Sequence, residues 1–342
     1  MTDLPPLSVL DLATVTRGET PADALGHTLE LAREADRLGY ERFWVAEHHN
    51  MPGIASSAPA VLIAALAAET ERIRVGSGGV MLPNHPPLVV AEQFGMLDAL
   101  HPDRIDLGIG RAPGTDPMTA TALRRSQGAL SDDDFPQELG ELVGFFEGRF
   151  PEGHPYGQIR AVPGAGNMPE IWLLGSSGYS AQVAGMLGWP FAFAHHFMAR
   201  NTLPALKLYR ESFRPSERLK RPHAMVAVAV IAAEDDDEAR RLARPARLSM
   251  ARLRSGNPSQ FPTNAEAAET ELSERDEEKL RDLEGSAIVG GPERVASRLR
   301  ELAESTQADE LMITVPMAEQ RDRLRTLERV AGMAGRAQNL VT

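Results

Sequence analysis

Short, nearly continuous apolar runs alternate with amphipathic stretches along the whole chain. Residues 7–13, 42–49, 73–82, 105–111, 170–176, 191–197, 224–232 and 311–315 form the runs. Their uninterrupted apolar character is that of parallel strands covered on both faces. The stretches between them have readable helix ends. The first has Thr20 as N-cap and Pro21 at the first helical position. It carries Ala24, Thr28, Leu31, Ala35 and Leu38 on one face and stops at Gly39. Another opens at Pro292 and repeats Val295, Leu299 and Leu302 at helical spacing. Strand and helix in strict alternation through eight strands predict an α/β fold of the (β/α)8 TIM-barrel type.

The spacing is uneven. About 55 residues separate the fourth and fifth strands and about 75 the seventh and eighth, far more than a short βα connection requires. We therefore expect one barrel domain over residues 1–342, with insertion segments at about 112–168 and 234–286. Residues 256–264 are rich in polar residues, Pro and Gly, and 266–284 are dense in charge. This predicts an insertion with mobile parts beside the barrel mouth.

Composition narrows the chemistry. The net charge of −12 argues against nucleic acid or an anionic membrane as the main partner. With no Cys in 342 residues, a disulfide scaffold, thiolate zinc and a Cys nucleophile are all excluded. The first residues lack the cationic flank and apolar core of a signal peptide. The longest apolar stretch, near residues 60–68, is far below the ~20 residues of a membrane span. A cytoplasmic location is the expectation.

In a barrel of this type the active site lies at the C-terminal ends of the strands. Five of the nine His fall there: His48, His49, His85, His195 and His196. Neighbours on a strand point to opposite faces, and no HExxH or clustered carboxylates accompany them, so no metal site is expected. The only Lys residues, Lys207, Lys220 and Lys279, lie away from the strand ends, against a Schiff-base mechanism. A glycosidase needs a second carboxylate to face Glu47, and the fourth strand ends in Arg111 instead. The turn Gly175-Ser176-Ser177-Gly178-Tyr179-Ser180 stands between a strand and a helix. It can cap that helix, or cradle a phosphate with Arg111 as the shared cation. Arg111 could equally pair with Asp116 at the rim. Gly76, Gly78 and Gly79 make no dinucleotide fingerprint, because Val80-Met81-Leu82 continues the strand. They suit something flat lying against the backbone.

At these positions the sequence resembles the bacterial luciferase-like flavin-dependent monooxygenases, and among them the single-chain luciferase-like oxidoreductase subgroup. The resemblance is carried by residues 43–50 (FWVAEHHN), 74–86 (RVGSGGVMLPNHP), 104–114 (RIDLGIGRAPG), 175–180 and 287–293 (AIVGGPE). It implies a monooxygenase that takes reduced FMN from a separate flavin reductase. O2 would add at the flavin C4a, and the resulting peroxyflavin would oxygenate a small organic substrate. His48 takes the role of the histidine beside the flavin. Arg111 corresponds to the phosphate-binding arginine, and the turn residues Ser176, Ser177, Gly178, Tyr179 and Ser180 to the rest of that site. Gly78 and Gly79 fall where the family often carries a cis peptide below the ring. Luciferase itself has a Glu where this chain has Ser176 and is a heterodimer acting on aldehyde, so light emission is not implied. A homodimer is expected. Related barrels use F420 for hydride transfer, which leaves an F420-dependent reductase or dehydrogenase, or a non-catalytic flavin-binding protein, as alternatives.

Overall fold

A computed structural model describes residues 4–112, 114–124, 134–283 and 285–334. Its strands are β1 (Leu7–Asp11), β2 (Arg42–Val45), β3 (Arg74–Met81), β4 (Ile105–Gly110), β5 (Glu170–Gly175), β6 (Phe191–Ala194), β7 (Ala224–Ala232), β8 (Ala287–Gly290) and β9 (Glu310–Thr314). All pairings are parallel. The order β1 to β7 closes through β9 back onto β1, so eight strands form the expected (β/α)8 barrel.

The sequence reading had no strand at β8, which runs beside the C-terminal half of β7 from Ala229 to Ala232. At four residues it is too short to stand out from its neighbours, and β7 has room for it because β9 pairs only with Met225–Ala229. Two expected strands end three or four residues early. β2 stops at Val45 and β6 at Ala194, so His48 and His49 lie in a loop, and His195 and His196 open a four-residue helix. The strand-alternation argument that kept each pair apart therefore fails. The pairs diverge through their hydrogen bonds instead.

The period of two along the strands builds two separate layers. On β7, Val226, Val228 and Val230 join the outer layer under the helices, while Met225 and Ala227 point into the barrel. There they meet Leu10, Trp44, Trp172 and Met312, and the two indole rings pack edge to face at 5.4 Å. Below them lies a charged floor built from residues at the strand starts. Arg42 pairs with Asp106 at 2.9 Å, Glu170 at 3.1 Å and Glu310 at 3.2 Å, and the Trp44 indole donates to Asp106 at 2.9 Å. Each buried charge thus has a partner of opposite sign, which is what makes charge tolerable at this depth.

Helix starts follow the sequence. Thr20 and Asp23 form a capping box on the helix Pro21–Arg37, which buries Ala24, Thr28, Leu31 and Ala35. Between β7 and β9 lie the helices Asp236–Arg254, Asn264–Glu269, Glu274–Leu280 and Pro292–Thr306. The segment expected to be mobile is tied down. Phe261 is buried, its N–H donates to Val15 O at 2.9 Å, and its carbonyl accepts from Arg17 N at 2.8 Å. One aromatic residue in a polar stretch is enough to dock it across the mouth. No helix among the described residues is long and apolar enough to cross a membrane.

Candidate active site

Glu47 is the centre of one side of the mouth. It follows β2 directly, is fully buried, and receives four hydrogen bonds. Oε2 accepts from Met81 N at 2.9 Å; Oε1 accepts from His49 Nε2 at 2.9 Å, His85 Nε2 at 2.9 Å and Asn84 Nδ2 at 3.2 Å. Burial pushes its carboxyl up, but these donors outweigh it and hold the group below the ordinary carboxylate value. His49 and His85 are therefore occupied in fixing the loop ends around this charge.

His48 turns the other way. Its Nδ1 lies 3.1 Å from Gly114 O. A carbonyl only accepts, so Nδ1 carries the proton and Nε2 is left as a lone pair. Burial depresses the imidazole below its ordinary value, so the neutral form is the one present at pH 7. His196 repeats the arrangement from across the barrel: Nδ1 lies 3.1 Å from Ala227 O, and burial again keeps the ring neutral. The two rings are close enough that charge on His48 opposes charge on His196. His195 is spent structurally, with Nε2 donating to Gly285 O at 3.0 Å and Nδ1 accepting from the Thr202 hydroxyl at 2.8 Å.

The strand-five turn and Arg111 do meet. The Arg111 guanidinium sits 4.5 Å over the Tyr179 ring, at the start of the helix Gly178–Leu187. Ser177 is the N-cap of that helix, yet its side chain makes no capping bond. The first-turn N–H groups therefore receive no cap from Ser177, and a cation lies beside this helix start, the arrangement that suits a phosphate. Ser180 is buried below Gly175, and Ser176 O accepts from Asn201 Nδ2 at 3.2 Å. Asp116 is engaged by Asn50 Nδ2 at 3.0 Å and caps the helix Pro117–Arg124.

The Gly78–Gly79 peptide is cis, at the position that the resemblance implies. The lack of side chains there has a cause inside the barrel. A Cβ on Gly78 would lie 2.7 Å from Leu10 Cδ1, and one on Gly79 would lie 2.7 Å from Gly108 O. The glycines permit close strand packing whether or not a flat group lies above them.

A cavity of about 440 Å³ opens on the opposite side of the mouth, between β1, β7, β8, β9 and the segment joining β7 to β8. Leu12, Ile54, Ile231, Met250, Leu253 and Phe261 give it an apolar wall, and His196 joins its lining. Arg111, Ser177 and the paired glycines do not line it. Sequence reading missed this wall. The helix Asp236–Arg254 places Ala243, Arg247, Met250 and Leu253 along one face, a helical periodicity visible in the sequence but masked by its six Arg. Asp11 at the cavity edge was missed too; it is buried and paired with Arg323.

The model of the luciferase-like monooxygenase family matches residues 6–310. The uncharacterized protein YvbT of Bacillus subtilis (strain 168) is 50% identical over 325 residues, 95% of this chain and 95% of that one. The N-acetyl-S-alkylcysteine monooxygenase of the same organism is 48% identical over 189 residues, 55% of this chain and 56% of its own. Among solved structures, apo-MsnO8 matches with a TM-score of 0.87 at 41% identity, covering 96% of this chain and 98% of that one. At 19% and 14% identity the likeness shows the fold alone. These matches are the FMN complex of the oxygenating constituent of 3,6-diketocamphane monooxygenase (TM-score 0.71) and an F420-dependent secondary alcohol dehydrogenase (0.67).

Proposed function

The chain belongs to the luciferase-like monooxygenase family, and on that premise we propose that it is an FMN-dependent monooxygenase acting with O2 on a small organic substrate. The observation that carries this reading is the convergence of Arg111 on the helix start at Gly178, on the same mouth as the two neutral histidines. Arg111 and the amides from Gly178 to Ser180 would hold the phosphate, with the Ser176 and Ser177 hydroxyls at its edge. Gly78 and Gly79 would lie under the ring system, where a bare backbone allows close approach. Reduced FMN bound there would supply the electrons that let O2 deliver one oxygen atom to the substrate. His48 would hold or pass a proton at Nε2, and the apolar cavity would take the substrate and keep water out.

Within this reading, reduced flavin comes from a separate reductase. A homodimer is supported by an unusual surface. The helix Pro59–Glu69 exposes Val61, Ala64 and Ala68, and Val89, Met96 and Leu100 are exposed on the helix Pro87–Leu100 packed beside it. A helix that is apolar on all sides is one that a partner covers.

The test is ligand discrimination. A charge-assisted hydrogen bond is worth about 1.5–3 kcal/mol, so Arg111→Ala should weaken FMN roughly 10- to 150-fold. Riboflavin, which lacks the phosphate, should change little. Equal losses for both ligands would make Arg111 structural, and tighter binding of F420 than of FMN would turn the assignment to hydride transfer.

A further inference from the structure

The cavity wall holds one ring nitrogen that has no hydrogen-bond partner among the described residues. Asp11 is satisfied by Ala13 N at 3.0 Å, the Thr28 hydroxyl at 2.6 Å and the Arg323 guanidinium. Arg247 is paired with Glu277 at 2.6 Å. The hydroxyls of Ser259 and Ser286 turn to backbone carbonyls at 2.9 and 2.7 Å. His196 is different. Its Nδ1–H is spent on Ala227 O, and Nε2 has no hydrogen-bond partner among the described residues. That nitrogen is an acceptor with a fixed direction, set in a largely apolar wall whose other polar members are the paired Asp11 and Arg247 and the hydroxyls of Thr14, Ser249, Ser259, Ser286 and Thr314, groups that can turn.

We propose that His196 is a substrate-binding residue, and that the cavity takes a ligand with a compact apolar body and one hydrogen-bond donor (a hydroxyl, thiol or amide N–H) directed at His196 Nε2. This rests on the reading above only in assigning the cavity to the organic substrate. The geometry gives the two histidines separate tasks. His48 is anchored to Gly114, on the side of Arg111 and the strand-five turn, whereas His196 is anchored to β7 and faces the segment joining β7 to β8. An anionic ligand fits poorly, because the Arg247 guanidinium in the lining is already paired with Glu277. A ligand without a donor would leave Nε2 buried beside it unpaired, so the site discriminates by withholding a bond.

The probes are p-cresol and its methyl ether, 4-methylanisole, which share an apolar body and differ in the donor. Binding is measured on flavin-free protein by the chemical-shift changes of its labelled histidines. A neutral hydrogen bond corresponds to roughly 2- to 12-fold in affinity, so wild type should prefer p-cresol by about that factor, with the His196 ring signals moving most. In His196→Asn the side-chain amide takes the place of Nδ1 and still donates to Ala227 O, while the Nε2 acceptor is gone. The preference should vanish. His196→Gln, whose amide oxygen reaches the Nε2 position, should keep part of it. An undiminished preference in His196→Asn, or failure of both probes to bind wild type, overturns the proposal. FMN affinity of the same samples reports separately on the flavin reading, which can fail while the p-cresol preference stands.

Discussion

Glu47→Gln is the sharpest test of how the mouth is held in shape. The carboxylate receives three donors at Oε1 and one at Oε2. A glutamine offers one oxygen and one NH2. Facing the NH2 toward Met81 N sets donor against donor; facing it toward His49, His85 and Asn84 sets it against three. Either way a charge-assisted bond worth about 1.5–3 kcal/mol is lost, and a buried donor is left unpaired at about 1–3 kcal/mol. The sum, roughly 2.5–6 kcal/mol, is a large part of an ordinary folding free energy. With an unfolding entropy of about 2 cal/mol/K per residue over 342 residues, it lowers Tm by roughly 4–9 °C. Calorimetry on both proteins at pH 7 measures this. Glu47→Asp should lose less, since it keeps the charge and both oxygens at shorter reach. A Tm within 1 °C of wild type for Glu47→Gln would refute the picture of a buried anion organising the residues around His48.

Three more outcomes follow from the same geometry. His48→Asn keeps a donor for Gly114 O but removes Nε2, so turnover should fall by roughly 10²–10⁴-fold in steady-state assays with Tm little changed; unaltered turnover makes His48 structural. Gly53→Val puts a Cβ 2.7 Å from Ser259 O, and should lift residues 258–261 off the mouth. Limited proteolysis should then cut within 256–264, at a bond resistant in wild type. On acidification, stability should fall in two stages. His48 and His196 lie below their ordinary value of 6.5, so the unfolded chain takes up protons first as pH drops past it; Glu47 and Glu310 lie below 4.5, and their contribution, full above that value, is lost as pH falls further. Urea midpoints between pH 8 and 3 measure this, and a flat profile from 7 to 5 would contradict the neutral histidines.

The barrel was legible because parallel strands covered on both faces need unbroken apolar runs, and β7, with all nine residues buried, is the plainest case. Strand ends were less legible. Ala46 and Glu47 are buried like the strand before them, so hydrophobicity does not show that β2 has ended at Val45. That Gly175 to Ser180 and Arg111 lie at the barrel mouth could be read from their order along the chain, because a helix start and a strand end lie at fixed places in a βα unit. The charged floor could have been noticed. Arg42, Arg74, Glu170 and Glu310 each occupy the first position of a strand, and Asp106 the second. A single sequence read one strand at a time hides this regularity, since the partner of each charge lies 30 to 270 residues away.

The role of the segment joining β7 to β8 was illegible for a different reason. Its helix Asp236–Arg254 looks like a solvated surface helix, and by charge it is one. Only the closed barrel shows that β8, too short to announce itself, carries the chain back to β7 and brings the apolar side of that helix over the mouth. The two halves of the mouth therefore have different origins. The Arg111 side is built from βα turns whose geometry the fold dictates, and the His196 side from the long connection between β7 and β8, whose length and lining the fold leaves open. If ligand preference changes between relatives, substitutions at Met250, Leu253 and Phe261 should move it while leaving FMN affinity alone. The barrel layer around Trp44 and Trp172 has no such freedom, because its side chains already fill the space inside the strands.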